Sequence, residues 1–294
     1  MSTLTAGTPG ETFGARLARV VEERGRLCVG IDPHAALLAS WGLPDSAAGI
    51  REFGLRVVEA SAGTAGIVKP QIGFFERHGS AGFAALEEVL AAARAAELLV
   101  IADVKRGDVG SSVDAYGQAW LTPGSPFEAD AMTAVAYQGV GSLDGVLAQA
   151  SSHGKGVFVL AATSNPEATD VQTARVQSGP QQGRTVAAAT VAELQARRTE
   201  SSAAAPLDEF GVVVGATVDL GSYGLTPEDL ARTPILAPGF GHQGASFVEL
   251  PTLFGPALPA VIASASRSIL SAGPDGLAAA VSSAAAEVDA ACRA

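Results

Sequence analysis

The chain has 294 residues and a formal charge of −11 at pH 7, and 48% of its residues are hydrophobic. So acidic a chain has no general basic face for nucleic acid, and we expect no such partner. Its first ten residues show no signal peptide pattern, and no window approaches the roughly 18 uninterrupted apolar residues of a membrane span. The two cysteines, Cys28 and Cys292, stand far apart without nearby metal ligands. They predict free thiols in a reducing, cytoplasmic compartment, with Cys28 buried.

Eight short apolar runs recur along the chain, and each is followed by a polar or glycine-containing turn and an alanine-rich stretch. Continuous apolar runs are typical of strands that are buried on both faces of a parallel sheet. The predicted strands are Leu27–Ile31, Gly66–Lys69, Leu98–Val104, Met132–Val135, Val157–Ala162, Val212–Ala216, Ile235–Ala237 and Val261–Ala265. The predicted helices are Thr12–Arg24, Gly49–Ala62, Phe83–Ala96, Leu143–Ser152, Thr185–Arg198 and Leu277–Ala291.

Eight strand–helix units predict a closed α/β barrel, the (β/α)8 or TIM barrel, as a single domain over residues 1–294. Helix Thr12–Arg24 precedes the first strand and would cover the floor of the barrel. Residues 1–10 are expected to form a flexible N-terminus. Residues 170–206 are too many for a simple strand–helix unit, so we interpret them as an extended insertion after strand five.

In such a barrel the active site lies where the strands end and the next loops begin. The polar residues at these exits are Asp32, Lys69, Asp103 with Lys105 and Asp108, Thr133 or Gln138, Ser164, Asp219, the loop 238–244, and Ser266 with Arg267. Charges at strand ends are costly to bury unless they are paired, so their convergence predicts a mutually compensated site. A hydroxyl at Ser164 could face a substrate, although an Asn-Pro turn that caps the next helix would use the same residues.

The third exit gives the strongest signal, in the stretch from Asp103 to Asp108. Asp103 and Lys105 are two residues apart on a strand, so they are predicted to face the same side. A lysine between carboxylates stays protonated and is suited to donate a proton. An ordinary ion-pair array at a strand end would have the same spacing, so the spacing alone leaves both interpretations open.

Two later loops predict a phosphate site. The glycine-rich stretch Ala237–Gly244 follows strand seven, and Arg267 follows strand eight. Barrels often bind phosphate in these loops through backbone N–H groups, and Arg267 would add a charge-assisted fork. A glycine-rich loop alone is more often a tight turn, but Arg267 one strand later favours phosphate binding, with Gln243 as an amide donor. The four histidines show no metal-ligand spacing, and no metal or cofactor is expected.

Together these motifs resemble the orotidine 5′-phosphate decarboxylase family, in its longer bacterial subgroup, from about Leu27 to Ile269. The motifs are Gly30-Ile-Asp32-Pro, Val68-Lys69-Pro-Gln, Asp103-Val-Lys105-Arg-Gly-Asp108, Thr163-Ser-Asn-Pro, Pro238-Gly-Phe-Gly-His-Gln-Gly and Ser266-Arg267. The resemblance implies a cofactor-independent enzyme of pyrimidine biosynthesis that converts orotidine 5′-phosphate to UMP and CO2. It also implies a homodimer with shared active sites.

The resemblance further implies a role for each matching residue. Lys105 would protonate C6 of the pyrimidine as CO2 leaves, beside Asp103. Asp108 would reach into the neighbouring subunit's site, with Ser112 beside it. Lys69 and Asp32 would hold the ribose hydroxyls and complete the charged catalytic array. Ser164 would hydrogen-bond the pyrimidine, and the 5′-phosphate region would be bound by Pro238, Gly239, Gln243 and Arg267.

Two other functions share parts of this pattern. A magnesium-dependent sugar-phosphate decarboxylase or aldolase of the same superfamily also carries the Asp-x-Lys-x-x-Asp element. Such enzymes place an acidic residue at the end of strand two, where Lys69 would repel a cation. A non-catalytic phosphate-binding barrel would be expected to lack Lys105 or Asp103, and both are present.

Overall fold

The predicted (β/α)8 barrel is confirmed by a computed structural model, which describes residues 10–241 and 244–293. Eight parallel strands follow one another in chain order, and the last pairs with the first to close the barrel. The strands are β1 Leu27–Ile31, β2 Ile67–Pro70, β3 Leu99–Arg106, β4 Ala131–Ala134, β5 Gly156–Ala162, β6 Phe210–Val214, β7 Ile235–Pro238 and β8 Val261–Ala265. Strands β1 and β8 match their predicted bounds to the residue.

Helices cover the outside of the barrel, and their lengths vary widely. They are α1 Phe13–Arg24, α2 Ala35–Ser40, α3 Ala47–Ser61, α4 Gly73–Glu76, α5 Gly79–Ala95, α6 Gly110–Leu121, α7 Asp144–Ser152, α8 Thr169–Gln172, α9 Val186–Gln195, α10 Glu200–Ala204, α11 Leu250–Phe254, α12 Arg267–Leu270 and α13 Gly273–Arg293. Short 3-10 turns lie at Val140–Leu143, Pro166–Ala168, Leu220–Tyr223, Glu228–Leu230, Phe247–Glu249 and Gly255–Ala260. The β6–β7 connection therefore consists of turns where an ideal barrel has a helix.

Helix α1 crosses the amino-terminal end of the barrel, as the sequence predicts. The ring of Phe13 meets the ring of Phe158 edge-on, with centroids 5.9 Å apart. Arg16 donates to Asp130 Oδ1 at 2.8 Å, just before β4 begins. Gly14 lies so close to the Leu207 carbonyl that a Cβ would fall 2.0 Å from its oxygen. Packed side chains thus close the barrel interior at its floor, and active sites of this fold lie at the opposite end.

The barrel interior is a packed apolar core. Its residues are nearly all fully buried, and they include Cys28, Ile67, Leu99, Ile101, Phe158 and Ile262. Burial raises the pKa of the Cys28 thiol to about 12, so this cysteine is a neutral core residue at physiological pH, as predicted. None of the helices in the described ranges is long and apolar enough to cross a membrane.

The segment between β5 and β6 holds α8, α9 and α10. Thr185 caps the amino-terminal end of α9, since its hydroxyl accepts a hydrogen bond from Ala188 N at 3.0 Å. An isolated antiparallel bridge joins Arg175 to Thr185 and ties the base of the loop between α8 and α9. The amino-terminal residues 1–10, predicted to be flexible, lie outside the described residues apart from Gly10.

Candidate active site

Asp103 is the centre of a charged array at the carboxyl ends of β2 and β3. Lys105 Nζ donates to its Oδ1 at 2.6 Å, and Lys69 Nζ donates to its Oδ2 at 2.9 Å. The side chains of Asp103 and Lys69 are each 9% exposed, whereas that of Lys105 is 43% exposed. The three predicted residues therefore meet within one chain, and of the three only Lys105 has a substantially exposed side chain.

Burial and pairing act in opposite directions on these ionisable groups. Burial by itself would raise the pKa of Asp103, but the two neighbouring ammonium groups outweigh it and hold that pKa well below its usual range. For the cationic Lys69 the signs are reversed. Burial by itself would lower its pKa, but the Asp103 and Asp32 carboxylates outweigh burial and raise that pKa. Asp103 and Lys69 are therefore both ionised throughout the neutral range.

The backbone of Lys105 is not that of a regular strand. Its φ is +47°, and the pairing of β3 with β4 shifts register between Ala102 and Arg106. The prediction that Asp103 and Lys105 face the same side is confirmed, although the strand between them is not regular. The two side chains meet across an irregular part of β3. The backbone there is strained, because a residue with a Cβ rarely adopts a positive φ.

Two neutral side chains also contact the array: Thr133, one of the two residues predicted at the fourth strand exit, and Gln71, for which no role was predicted. Thr133, in β4, donates from its hydroxyl to Asp103 Oδ1 at 2.9 Å and accepts from Lys105 N at 2.9 Å. With its amide oriented to satisfy both partners, Gln71 donates to Asp103 Oδ2 at 3.2 Å and accepts from Lys105 Nζ at 3.2 Å. The sequence offers one signal for each residue. Thr133 is a lone hydroxyl at the end of an apolar strand, and Gln71 is an amide two residues after Lys69.

Asp32 lies beside this array at the end of β1. Its carboxylate is close enough to Lys69 to raise the pKa of that ammonium. Within the described residues, its buried Oδ1 has no hydrogen-bond partner. Gly30 leaves room for the hydroxyl of Ser266, since a Cβ there would fall 1.8 Å from Ser266 Oγ. The β1 and β8 exits are therefore in close contact.

Asp108 is not part of the array in its own chain. It is half-buried just before α6, and its Oδ1 accepts from Val109 N at 2.8 Å. Ser112 is exposed on the first turn of α6. Two large apolar side chains near the ends of β3 and β4 are exposed: Val109, next to Asp108, by 55%, and Tyr137, three residues after β4, by 83%.

Ser164 is exposed just beyond β5, where it faces the end of β6. A Cβ on Gly215 would lie 3.1 Å from the Ser164 Cβ, so the two loops are in close contact. The preceding residue is anchored, because Thr163 N donates to Gln172 Oε1 at 2.8 Å. Asp219, at the next exit, accepts from Ser222 Oγ at 2.6 Å and caps its own loop.

The predicted phosphate loops after β7 and β8 lie against each other. Pro238 ends β7, and Gly239 has a φ of +118°, which glycine adopts readily. A Cβ on Gly241 would lie 2.6 Å from the Ser268 Cβ, so the first loop packs on α12. Arg267 is exposed at the start of α12. Gln243 and His242 lie outside the described residues.

The chemistry of this mouth is that of an anion site lined by fixed charges. Ammonium groups, a buried carboxylate and a glycine loop beside an arginine all face the same end of the barrel. Among the residues that the structure describes, no three His, Cys, Asp or Glu side chains come together as a metal site. The fold and this site define a TIM-barrel enzyme that uses charged side chains on an anionic substrate.

Comparison with known proteins narrows this class to one family. A family model described as orotidine 5′-phosphate decarboxylase / HUMPS matches residues 25–281. A Salinispora arenicola protein named orotidine 5′-phosphate decarboxylase is 51% identical over 286 residues, which cover 97% of this chain and 98% of that protein. A Streptomyces coelicolor protein of the same name is 50% identical over 266 residues, covering 90% and 92%. The chain belongs to the orotidine 5′-phosphate decarboxylase family.

A solved structure agrees with this assignment. The crystal structure of a Streptomyces avermitilis protein assigned to orotidine 5′-phosphate decarboxylase has a TM-score of 0.89 and 46% sequence identity, and the match covers 97% of both chains. The Leishmania donovani OMP decarboxylase has a TM-score of 0.71 at 28% identity. The resemblance inferred from the sequence motifs is therefore confirmed.

Proposed function

We propose that the Asp103 array is the catalytic centre of this chain and that Lys105 is its proton donor. The chain is a carboxy-lyase that converts orotidine 5′-phosphate to UMP and CO2, a step of pyrimidine biosynthesis. The observation that carries the proposal is the Lys105 ammonium, held 2.6 Å from Asp103 Oδ1 while much of its side chain faces the mouth.

The proposed reaction needs one electron pair to be stabilised and one proton to be delivered. As the bond from C6 to the carboxylate breaks, CO2 leaves and the electron pair stays on C6. A fixed ammonium in a poorly solvated site stabilises this developing negative charge electrostatically. Lys105 then transfers a proton to C6, and because its side chain is 43% exposed, solvent can return that proton.

Asp103 has two tasks in this proposal. It orients the Lys105 ammonium, and its negative charge would lie beside the carboxyl group that departs. Lys69 balances the buried charge at 2.9 Å, so the carboxylate can remain ionised without water.

The other predicted residues would hold the substrate. Asp32, whose buried Oδ1 lacks a partner within the described ranges, is suited to accept from a ribose hydroxyl beside Lys69. Ser164 would hydrogen-bond the pyrimidine. The phosphate would bind where the β7 and β8 loops meet, at Pro238, Gly239, Gln243 and Arg267. Binding energy from this remote phosphate can drive loop closure over the ring.

We also propose a homodimer whose sites are shared. Within the described residues, the Asp108 carboxylate accepts from Val109 N, whereas the ammonium of Lys105 pairs with Asp103, and a second copy would cover the exposed Val109 next to Asp108. In a two-fold dimer, Asp108 and Ser112 would then complete the partner's site. The two free cysteines fit the reducing cytoplasm, which we propose as the location.

The direct test of the function is a decarboxylation assay. Purified protein is mixed with orotidine 5′-phosphate, and the loss of ultraviolet absorbance is followed, with UMP measured as the product. Complete conversion at catalytic enzyme concentration is the expected result. An unchanged absorbance with folded protein would contradict the assignment.

A further inference from the structure

We propose that Thr133 is a positioning residue for the proton donor, acting through a hydroxyl that ties the Lys105 backbone to the Asp103 carboxylate. The inference rests on the proposed role of Lys105. Thr133 lies in β4 and is 1% exposed, so its hydroxyl is shielded from water.

The two hydrogen bonds of this hydroxyl have a fixed direction. Lys105 N is a donor only, so Thr133 Oγ1 accepts from it at 2.9 Å. An ionised Asp103 is an acceptor only, so the single hydroxyl hydrogen is donated to its Oδ1 at 2.9 Å. Asp103 Oδ1 also receives the Lys105 ammonium at 2.6 Å. One hydroxyl therefore holds both the start of the lysine side chain and the carboxylate at its end.

The hydroxyl takes the place of a missing strand contact. Regular pairing of β3 with β4 stops at Ala102 with Met132 and resumes only at Arg106 with Ala134. In between, Lys105 has a φ of +47°, a conformation that side-chain-bearing residues rarely adopt. Such a conformation persists only when the surroundings hold it, and Thr133 supplies the partner for the Lys105 N–H.

Loss of this contact should therefore affect chemistry more than substrate binding. The Lys105 side chain is 43% exposed and can swing towards solvent if its backbone relaxes. A displacement of about 1 Å in a reacting group can lower a rate by about 100-fold. Substrate affinity should change little, because the residues proposed to bind ribose and phosphate lie on other strands.

The test compares Thr133→Val, which keeps the shape but removes the hydroxyl, with Thr133→Ser, which keeps the hydroxyl. Thr233→Val is the matched control: Thr233 is also 1% exposed, donates to Asp208 Oδ2 at 3.4 Å and accepts from Gln195 Nε2 at 2.9 Å. It lies just before β7, at the floor of the barrel. Lys105→Ala is measured in parallel, and circular dichroism checks the folding of every variant.

We expect Thr133→Val to lower kcat by about 10- to 100-fold with KM within about threefold, since positioning is lost but not binding. Thr133→Ser and Thr233→Val should both keep kcat within about threefold of wild type. A Thr133→Val enzyme with wild-type kcat would overturn the proposal, and so would a serine variant as slow as the valine variant.

The remaining outcomes are also decisive. If Thr133→Val does not fold, Thr133→Ala is judged by the same criteria, and failure of both to fold would make Thr133 a residue of stability and refute the positioning role. If Lys105→Ala stays active, the proposed proton donor is wrong. If Lys105→Ala is inactive while Thr133→Val matches wild type, only the present inference fails.

Discussion

Lys69 Nζ donates to Asp103 Oδ2 across 2.9 Å, and each of the two side chains is only 9% exposed. Neither charge could be buried alone at a tolerable free-energy cost, because the penalty of desolvating an unpaired ion far exceeds the gain from packing. The stability of the fold thus depends on the same groups as the proposed chemistry.

Replacing Lys69 by Met should destabilise the protein in a pH-dependent way. The depressed pKa of Asp103 contributes stability that is present above the unfolded value of about 4 and is lost as pH falls through the folded pKa. The raised pKa of Lys69 contributes stability that is complete below its unfolded value of about 10.4. We expect a loss on the order of 3 kcal/mol at pH 7, measured by urea unfolding, and a smaller difference from wild type at pH 3. Equal differences at both pH values would contradict this coupling.

Lys105→Ala should abolish turnover while the fold survives, because that side chain is the most exposed member of the array. Loss of a general acid lowers kcat by about 100-fold or more. Lys155→Ala is a suitable control, since Lys155 donates to Glu128 Oε1 at 2.8 Å at the opposite end of the barrel. That variant should lose stability and keep kcat. Retention of more than a few per cent of kcat in Lys105→Ala would remove Lys105 as the donor.

Arg267→Ala should raise KM more than it lowers kcat, because the guanidinium is proposed to hold the 5′-phosphate. The decisive comparison uses orotidine, which lacks the phosphate: wild type and variant should turn over this nucleoside equally slowly. Arg293→Ala, whose side chain is 81% exposed on α13, controls for a general loss of surface charge. An effect of equal size on both substrates would place Arg267 outside the phosphate site.

Activity should not depend on a metal ion, because the array pairs lysines with carboxylates and leaves Mg²⁺ no set of oxygen ligands. Dialysis against EDTA is expected to leave kcat unchanged. Activity that is lost on dialysis and restored by Mg²⁺ would instead support the sugar-phosphate enzyme of the same superfamily.

A mixture of Lys105→Ala and Asp108→Ala proteins tests whether sites are shared. Each homodimer should be nearly inactive, whereas a heterodimer carries both lesions in one site and none in the other. Random exchange gives about half heterodimers and hence about a quarter of wild-type activity. If activity stays at the level of the parents after exchange has been demonstrated, Asp108 acts within its own chain.

The fold was largely predictable from the sequence, since strands buried on both faces are continuous apolar runs. The predicted bounds were wrong for β6, whose start contains a glycine. This strand begins at Phe210, two residues earlier than predicted. Gly211 is required there because a Cβ would lie 2.6 Å from the Phe158 ring. A glycine near acidic residues is locally typical of a turn. Only the packing inside the barrel explains why Gly211 lies in a strand.

The meeting of Lys69, Asp103 and Lys105 was predictable, but the backbone geometry that brings them together was not. Positive φ is expected mainly at Gly, Asn or Asp, so nothing in the sequence indicated the positive φ at Lys105. Thr133 was predicted at a strand exit, but its contacts and those of Gln71 with Asp103 and Lys105 were not, because contacts between strands leave no pattern within one strand.

Barrel closure also determines how the chain can fold as it is synthesised. Leu27 in β1 pairs with Ala263 in β8, so the final backbone hydrogen bonds of the sheet join the two ends of the sequence. Because the ribosome delivers β8 last, the outer edge of β1 has no partner strand until nearly the whole chain has emerged. Long-range pairing of this kind folds slowly, and an open strand edge is a template for association with other chains. A product that terminates before β8 should therefore aggregate through two unpaired edges and depend on chaperones for solubility.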